Sequence, residues 1–314
     1  MKRVLLAGTA LCVGAGMAMA DITLSGDGRM GIVSNKADEL KFNSRFRIKI
    51  DASAELDNGL SAGASVRAHD AGGANGGTAG TVYLSGPFGK LSMGDVDSGA
   101  KAAVGDVIGV GYVNLDSPNE ITYQRGGTVG EEPALQYMLP MMGPVQVYAS
   151  VGMAEETEDG VTKTEISADT LSVGAKADLE IGGMGSAWIG GGFEATTEDD
   201  EDGHLVFGAG AEVSGFTGKV VFGMQSRDAT EDEEDRDRDQ FGISAGYSAG
   251  QMGVSVFYTD DSEFDGDKAL GAGFSWNLGG GAELKAGFTN WPADDEIEDD
   301  EDERTADLGV TFSF

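Results

Sequence analysis

Cysteine, histidine and basic residues are scarce in this sequence, and each scarcity removes a class of function. The single cysteine is Cys12, in an apolar run at the N-terminus, and there are two histidines among 314 residues. Past residue 20 the chain therefore has no disulfide, no thiolate nucleophile and no cysteine-based metal site. Zinc prefers several His or Cys ligands, and His69 and His204 belong to different predicted strands, which speaks against a zinc centre. Lysine and arginine number 21 against 54 acids, for a formal net charge of −33. So acidic a surface repels nucleic acid and argues against polybasic docking on a membrane. Long hydrophobic runs are missing: the apolar stretch 4–13 is too short to span a bilayer as a helix. Amphipathic helical period is missing too, apart from a turn or two near residues 98–107. The Gly-x-Gly matches, such as Gly208-Ala209-Gly210, arise among 51 glycines, and no Gly-Lys-Ser/Thr completes a phosphate loop. Glycine on strands here serves curvature and close packing instead.

Residues 1–20 differ from the rest. Lys2 and Arg3 precede the apolar run, which ends in Ala18-Met19-Ala20. A charged start, an apolar core and an A-x-A site predict a signal peptide over 1–20, cleaved before Asp21. Lipoprotein cleavage at Cys12 is disfavoured because Leu11 before it is too large. Residues 21–314 then form one β domain with no linker.

What is abundant is alternation. The stretch "KFNSRFRIKIDASAEL", residues 41–56, holds Phe42, Phe46, Ile48, Ile50, Ala52, Ala54 and Leu56 on one parity. Lys41, Arg45, Arg47, Lys49, Asp51 and Glu55 take the other, so this is a strand with one apolar and one wet face. The pattern recurs to the C-terminus and predicts sixteen strands, the last over 306–314. Their connections alternate in kind. One set is short and built from Gly, Pro and Asn; the other is long and acidic, as in 198–202, 228–239, 260–267 and 294–303. Short turns at one end and long loops at the other predict an outer-membrane barrel, in which a closed sheet leaves no backbone group unpaired in lipid. A secreted β-sandwich also alternates, but sixteen similar strands would make an unusually large one. The terminal Val310-Thr311-Phe312-Ser313-Phe314, aromatic at its end, matches an outer-membrane assembly signal.

In a barrel the apolar face meets lipid and the polar face lines an interior, and sixteen strands leave that interior as an aqueous channel. By parity Arg29, Arg45, Arg47, Lys49, Arg67 and His69 point inward from neighbouring strands as one basic patch. His204 falls on the lumen face as well, which makes a hydrolase facing lipid an unsuitable reading. Between the fifth and sixth predicted strands lie nearly forty residues without strand pattern, a length that is usually functional. They carry Val104, Val107, Ile108, Val110, Tyr112, Val113 and Leu115, with sparse acids at Asp95, Asp97, Asp106, Asp116 and Glu120. An apolar loop of this kind is expected to fold into the barrel, pack on its wall and narrow the pore.

The stretches "LSGDGRMG" (24–31), "SRFRI" (44–48), "GASVRAHD" (63–70), "TVYLSGPFGKLSMGD" (81–95), "GDVIGVGYVNLD" (105–116) and "ADLGVTFSF" (306–314) are distinctive. On them rests a resemblance to the trimeric general diffusion porins of alphaproteobacteria. It is strong over 21–120 and at the C-terminus, and weak between. It implies a homotrimer among outer-membrane lipid and lipopolysaccharide, with the third external loop forming an eyelet inside the barrel. Carried over, the basic side of the eyelet is Arg29, Arg45, Arg47 and Arg67, joined by Lys49 and His69, and the acidic side is Asp106, Asp116 and Glu120. The implied activity is passive passage of ions and small hydrophilic solutes, with no catalytic step and no required cofactor.

One further stretch has metal-ligand spacing. Asp261, Glu263, Asp265 and Asp267 alternate around Gly266, like the start of a calcium loop, although the twelfth position is Ala272 rather than Glu. A Ca²⁺ site and plainly solvated acidic loops are both open on these residues. Two other functions stay open beside the diffusion channel: a solute-selective channel, and an adhesin or structural barrel whose acidic loops bind partners.

Overall fold

The computed structural model describes residues 20–34, 40–56, 58–69, 80–113, 115, 119–121, 134–158, 161–166, 171–195, 203–226, 238–261, 267–291 and 303–314. In chain order the first strands are β1 (Ala20–Ser34), β2 (Leu40–Glu55), β3 (Ser61–His69), β4 (Thr81–Gly86), β5 (Gly89–Gly94), β6 (Ala134–Met138) and β7 (Val145–Val151). Then come β8 (Met153–Glu158), β9 (Val161–Ile166), β10 (Ser172–Glu180), β11 (Gly185–Ala195), β12 (Gly203–Val213) and β13 (Phe216–Ser226). The last are β14 (Arg238–Ala249), β15 (Met252–Asp261), β16 (Asp267–Gly279), β17 (Ala282–Trp291) and β18 (Glu303–Ser313). One short helix, α1 (Gly99–Val104), follows β5.

Sixteen of these strands close a single antiparallel barrel in sequence order, and β8 and β9 form a separate hairpin between β7 and β10. The alternation had located all sixteen barrel strands but not the hairpin. Its sequences, MAEETE and VTKTEI, place polar residues on both parities and so carry no apolar-face signal. Closure joins the two ends of the chain: β1 pairs with β18, Asp27 opposite Ser313 and Val33 opposite Asp307. Gly26 and Phe314 exchange backbone hydrogen bonds of 2.9 and 3.0 Å. The Phe314 ring then crosses Gly26 to stack on Phe46 of β2, centroids 5.8 Å apart. With no free edge, every ladder bond is internal, which is the condition for spanning lipid.

The short connections use glycine where the backbone must turn left-handed. Gly182 and Gly183, between β10 and β11, have φ of 53° and 77°, which a Cβ would strain. Parity then sorts the faces. On β12, His204, Val206 and Gly208 are buried while Leu205 and Phe207 are exposed. On β2, Phe42 is 95% exposed on the outside, and Arg45 and Arg47 are half-buried within. The buried apolar cluster lies inside the barrel, where Val107, Val110, Leu115 and Ile121 meet the wall residues Val206, Val221, Phe257 and Ala269.

Single cysteines placed one at a time across positions 42–49 and probed with a water-soluble thiol reagent test this register in membranes. Odd positions should react and even positions should not; equal labelling on both parities would refute the barrel assignment for β2.

Candidate functional site: an inner loop pinned to the barrel wall

After Gly94 the chain turns back along the lumen face of the wall. Its first element is α1, whose early amides have no partner within the helix. Ser98 is the N-cap and its Oγ accepts from the Lys101 amide at 3.1 Å. The barrel supplies the rest. The Gly99 amide donates to Ser150 Oγ of β7 at 2.9 Å, and the Ala100 amide donates to Ser172 Oγ of β10 at 2.9 Å. Ser98 Oγ itself donates to Glu194 of β11. That carboxylate has no solvent exposure; Ser172 Oγ reaches it at 3.3 Å and His204 Nδ1 of β12 lies at 3.4 Å. His204 thus belongs to a hydrogen-bonded clasp.

From α1 the loop passes β12, β14, β16, β17 and β18 in turn, and at its closest approaches the wall offers glycine. A Cβ on Gly192 would stand 2.5 Å from the Ala100 Cβ, and one on Gly287 2.5 Å from the Gly111 backbone. Gly208 receives Val104, Gly242 receives Val107, and Gly273 receives Val110 in the same way. The loop's valines bury about 1.5–3 kcal/mol each of apolar contact there. The far end is held by a second carboxylate. Asp307 of β18, 5% exposed, accepts from the amides of Tyr112 at 2.7 Å and Val113 at 2.9 Å. Arg29 Nη1 donates to the Tyr112 carbonyl at 3.3 Å, with its guanidinium 5.9 Å from the Tyr112 ring centroid.

The predicted basic residues share one stretch of wall. Arg29 stands opposite Arg45, Lys49 opposite Arg67, and Arg47 opposite His69, whose side chain lies outside the described set. Two acids sit among them. Arg47 Nε donates to both oxygens of Asp27 at 2.9 Å, Arg45 Nη2 reaches Asp27 at 3.4 Å, and Lys49 pairs with Asp51 at 2.9 Å. Of the predicted acids, Asp116 lies outside the described residues and Glu120 is exposed on the loop. Asp106 faces the β13 side: its carboxylate accepts from the Ile121 amide at 3.0 Å and lies 4.0 Å from Lys101 Nζ. Lys219 Nζ donates to its backbone carbonyl. Burial raises the pKa of Asp106, Lys101 and the Ile121 amide oppose the rise, and the neighbouring Glu120 charge adds to it.

Sequence reasoning missed several residues of this site. Ser98, Glu194 and Asp307 anchor the loop, and Lys176 and Lys219 flank the lumen-facing Trp188 at 5.4 and 5.1 Å. Lumen parity alone would have found the two lysines; nothing in the pattern marks an acid as an anchor. The calcium expectation falls largely outside the described residues. Both oxygens of Asp261 are taken by Arg238, at 2.9 and 2.6 Å, and Gln240 adds a bond of 2.8 Å. A guanidinium in that place does not suit a cation site, Glu263 and Asp265 lie outside the described residues, and no metal-ligand cluster exists among the described residues.

Removing an anchor gives a local readout. Asp307→Ala leaves two loop amides without an acceptor, a loss of about 1–3 kcal/mol. Hydrogen exchange at Tyr112 and Val113 should accelerate roughly tenfold to a hundredfold, while the Ala100 amide stays protected. Unchanged exchange at both positions would show that Asp307 does not hold the loop.

Comparison with known proteins agrees with this architecture. The sequence model of a family described as Gram-negative porin matches residues 7–295. A porin of Rhodobacter capsulatus is 32% identical, the alignment covering 94% of this chain and 100% of the relative. A porin structure refined at 1.8 Å resolution superposes with a TM-score of 0.71 at 28% identity, covering 94% of this chain and 100% of that one. A variant of the Rh. blastica porin, at 22% identity and a TM-score of 0.63 over 94% of this chain and 100% of its own, shares the fold. With a closed sixteen-strand barrel carrying a loop along its inner wall, and a family match over most of its length, the chain is a member of the Gram-negative porins.

Proposed function

We propose that the chain is a general diffusion porin: a water-filled outer-membrane channel for passive passage of ions and small hydrophilic solutes, narrowed by the inner loop into a charged eyelet. Membership of the porin family supports a channel rather than an enzyme. The observation that carries the finer reading is the loop pinned inside the barrel, along the wall from Glu194 to Asp307, in a lumen whose wall also bears Arg45, Arg47, Lys49 and Arg67. Arg29 and His69 complete the basic side; Asp106, Glu120 and Asp116 supply acids from the loop. Arginine stays charged at any working pH, so the field across the gap is permanent. It orients water and dipolar solutes, and an apolar solute must displace that water without replacing its hydrogen bonds. The reading extends to removal of residues 1–20 on export and to assembly of three copies among lipid and lipopolysaccharide, as in the porins this chain resembles.

Conductance in planar bilayers tests the proposal. A steady ohmic current is expected; complete block by one solute would point to a selective channel, and absence of current to an adhesin.

Ion preference follows from charge. With 54 acids against 21 bases, the entrance repels anions, and the Debye length of about 30 Å at 0.01 M shrinks to about 10 Å at 0.1 M. Modest cation selectivity is expected, fading as salt rises; anion preference at low salt would contradict it.

The basic wall is tested by Arg45→Ala combined with Arg47→Ala. Each lost charge is worth about 0.5 kcal/mol at roughly 8 Å through water, and Asp27 is left unopposed. Conductance should rise and cation preference increase a few-fold; if neither changes, these arginines lie outside the constriction.

A further inference from the structure

A cavity of about 200 Å³ lies between the loop backbone at residues 108–111 and the lumen face of β13 to β17. It sits toward the barrel end closed by short turns, since its wall residues adjoin the turns after β14 and β16. A solute that has cleared the loop from the long-loop end meets it next. The volume corresponds to roughly six or seven waters and lies below the range of drug-sized pockets, about 300–1,000 Å³. Its size suits a single small ring.

The chemistry of the lining is specific. Gly253 forms the floor, with no described loop atom against it, while Gly273 at its edge is met by Val110, and hydroxyls converge around both. The Oγ atoms of Ser275 and Ser248 lie 2.7 and 3.4 Å from where a Gly253 Cβ would stand, and Ser255 Oγ lies 2.9 Å from the Gly273 position. Thr217 adds a fourth hydroxyl, and Ile108 and Val110 supply an apolar roof. Among the described residues no carboxylate lines the cavity, so a cation finds no counter-charge there. Its one cation, Lys285, is paired with Glu283 at 3.0 Å, and the acidic mouth keeps anions scarce. Hydroxyls both donate and accept, and so match a ligand that does the same.

We infer that this niche binds a small neutral polyhydroxylated solute of the monosaccharide class, its hydroxyls on the serine floor and its C–H face under Ile108 and Val110. The inference rests on the channel reading for how the solute arrives and adds a binding step to it.

Glucose is the probe. In planar bilayers it should lower the current reversibly and saturably, beyond the fall in bulk conductivity. In Ser248→Ala combined with Ser275→Ala the sugar-free current should be unchanged and half-saturation should move up roughly fivefold per hydroxyl removed. A decline that merely tracks bulk conductivity would overturn the site, as would the same half-saturation in wild type and variant. Stronger retention of gluconate than of glucose would overturn the neutral class. Saturation-transfer NMR on the detergent-folded barrel reads binding without any current. A barrel that binds glucose but conducts nothing would keep the niche and lose the channel reading, and one that conducts but shows no transfer would do the reverse.

Discussion

Two buried carboxylates hold the inner loop, and the rest of the interior is arranged around that need. In a closed barrel most wall amides and carbonyls are spent on ladder bonds to neighbouring strands, so the wall backbone offers a loop few hydrogen bonds. Side chains must provide them. Glu194 with Ser150 and Ser172 caps the start of α1, and Asp307 takes the amides of Tyr112 and Val113 at the other end. A carboxylate in such a place is costly unless its lone pairs are filled. Glu194 fills them with Ser98, Ser172 and His204.

Between the anchors the attraction is apolar, and it depends on closeness. A six-residue helix and an irregular strand of backbone bury little area unless they approach the wall to contact distance. The glycines at 174, 192, 208, 242, 273 and 287 permit that approach, and an alanine at most of them would drive its Cβ into the loop. The same economy leaves space where the loop is not seated. Over Gly253 none of the described loop residues fills the gap, and hydroxyls line it instead.

Much of the fold was legible because a membrane barrel writes one rule along its whole length. Period two located the sixteen strands and the inward parity of Arg45 and Arg47, and a trace of helical period marked the turn or two near residues 98–107 where α1 lies. The hairpin β8–β9 escaped because Glu155, Glu156 and Lys163 share their strands with threonines and leave no apolar face. Glycine was read as serving curvature and close packing, without the loop contacts that many of these residues make. The anchors escaped for a different reason: Asp307 and Glu194 look like any other lumen acid until the loop amides arrive, and that meeting spans 195 residues for Asp307 and Tyr112. Asp27 shares the inward parity of Arg29, but its pairing with Arg45 and Arg47 belongs to cross-strand register.

That pairing changes how the interior field is built. Arg47 and Arg45 are held upright by a carboxylate of their own wall, so their positions do not depend on acids across the gap. Arg29 is drawn into holding Tyr112. On the opposite side Lys101 and Lys219 gather around Asp106, which fixes that acid against β13. Each wall is thus internally braced, with acid and base in contact. Local bracing costs some field strength, since paired charges partly cancel. It gains rigidity, because a guanidinium locked by two bonds of 2.9 Å to Asp27 does not swing into the solute path. The geometry of the passage then follows from strand register and two loop anchors, both set by the folded barrel before any solute enters.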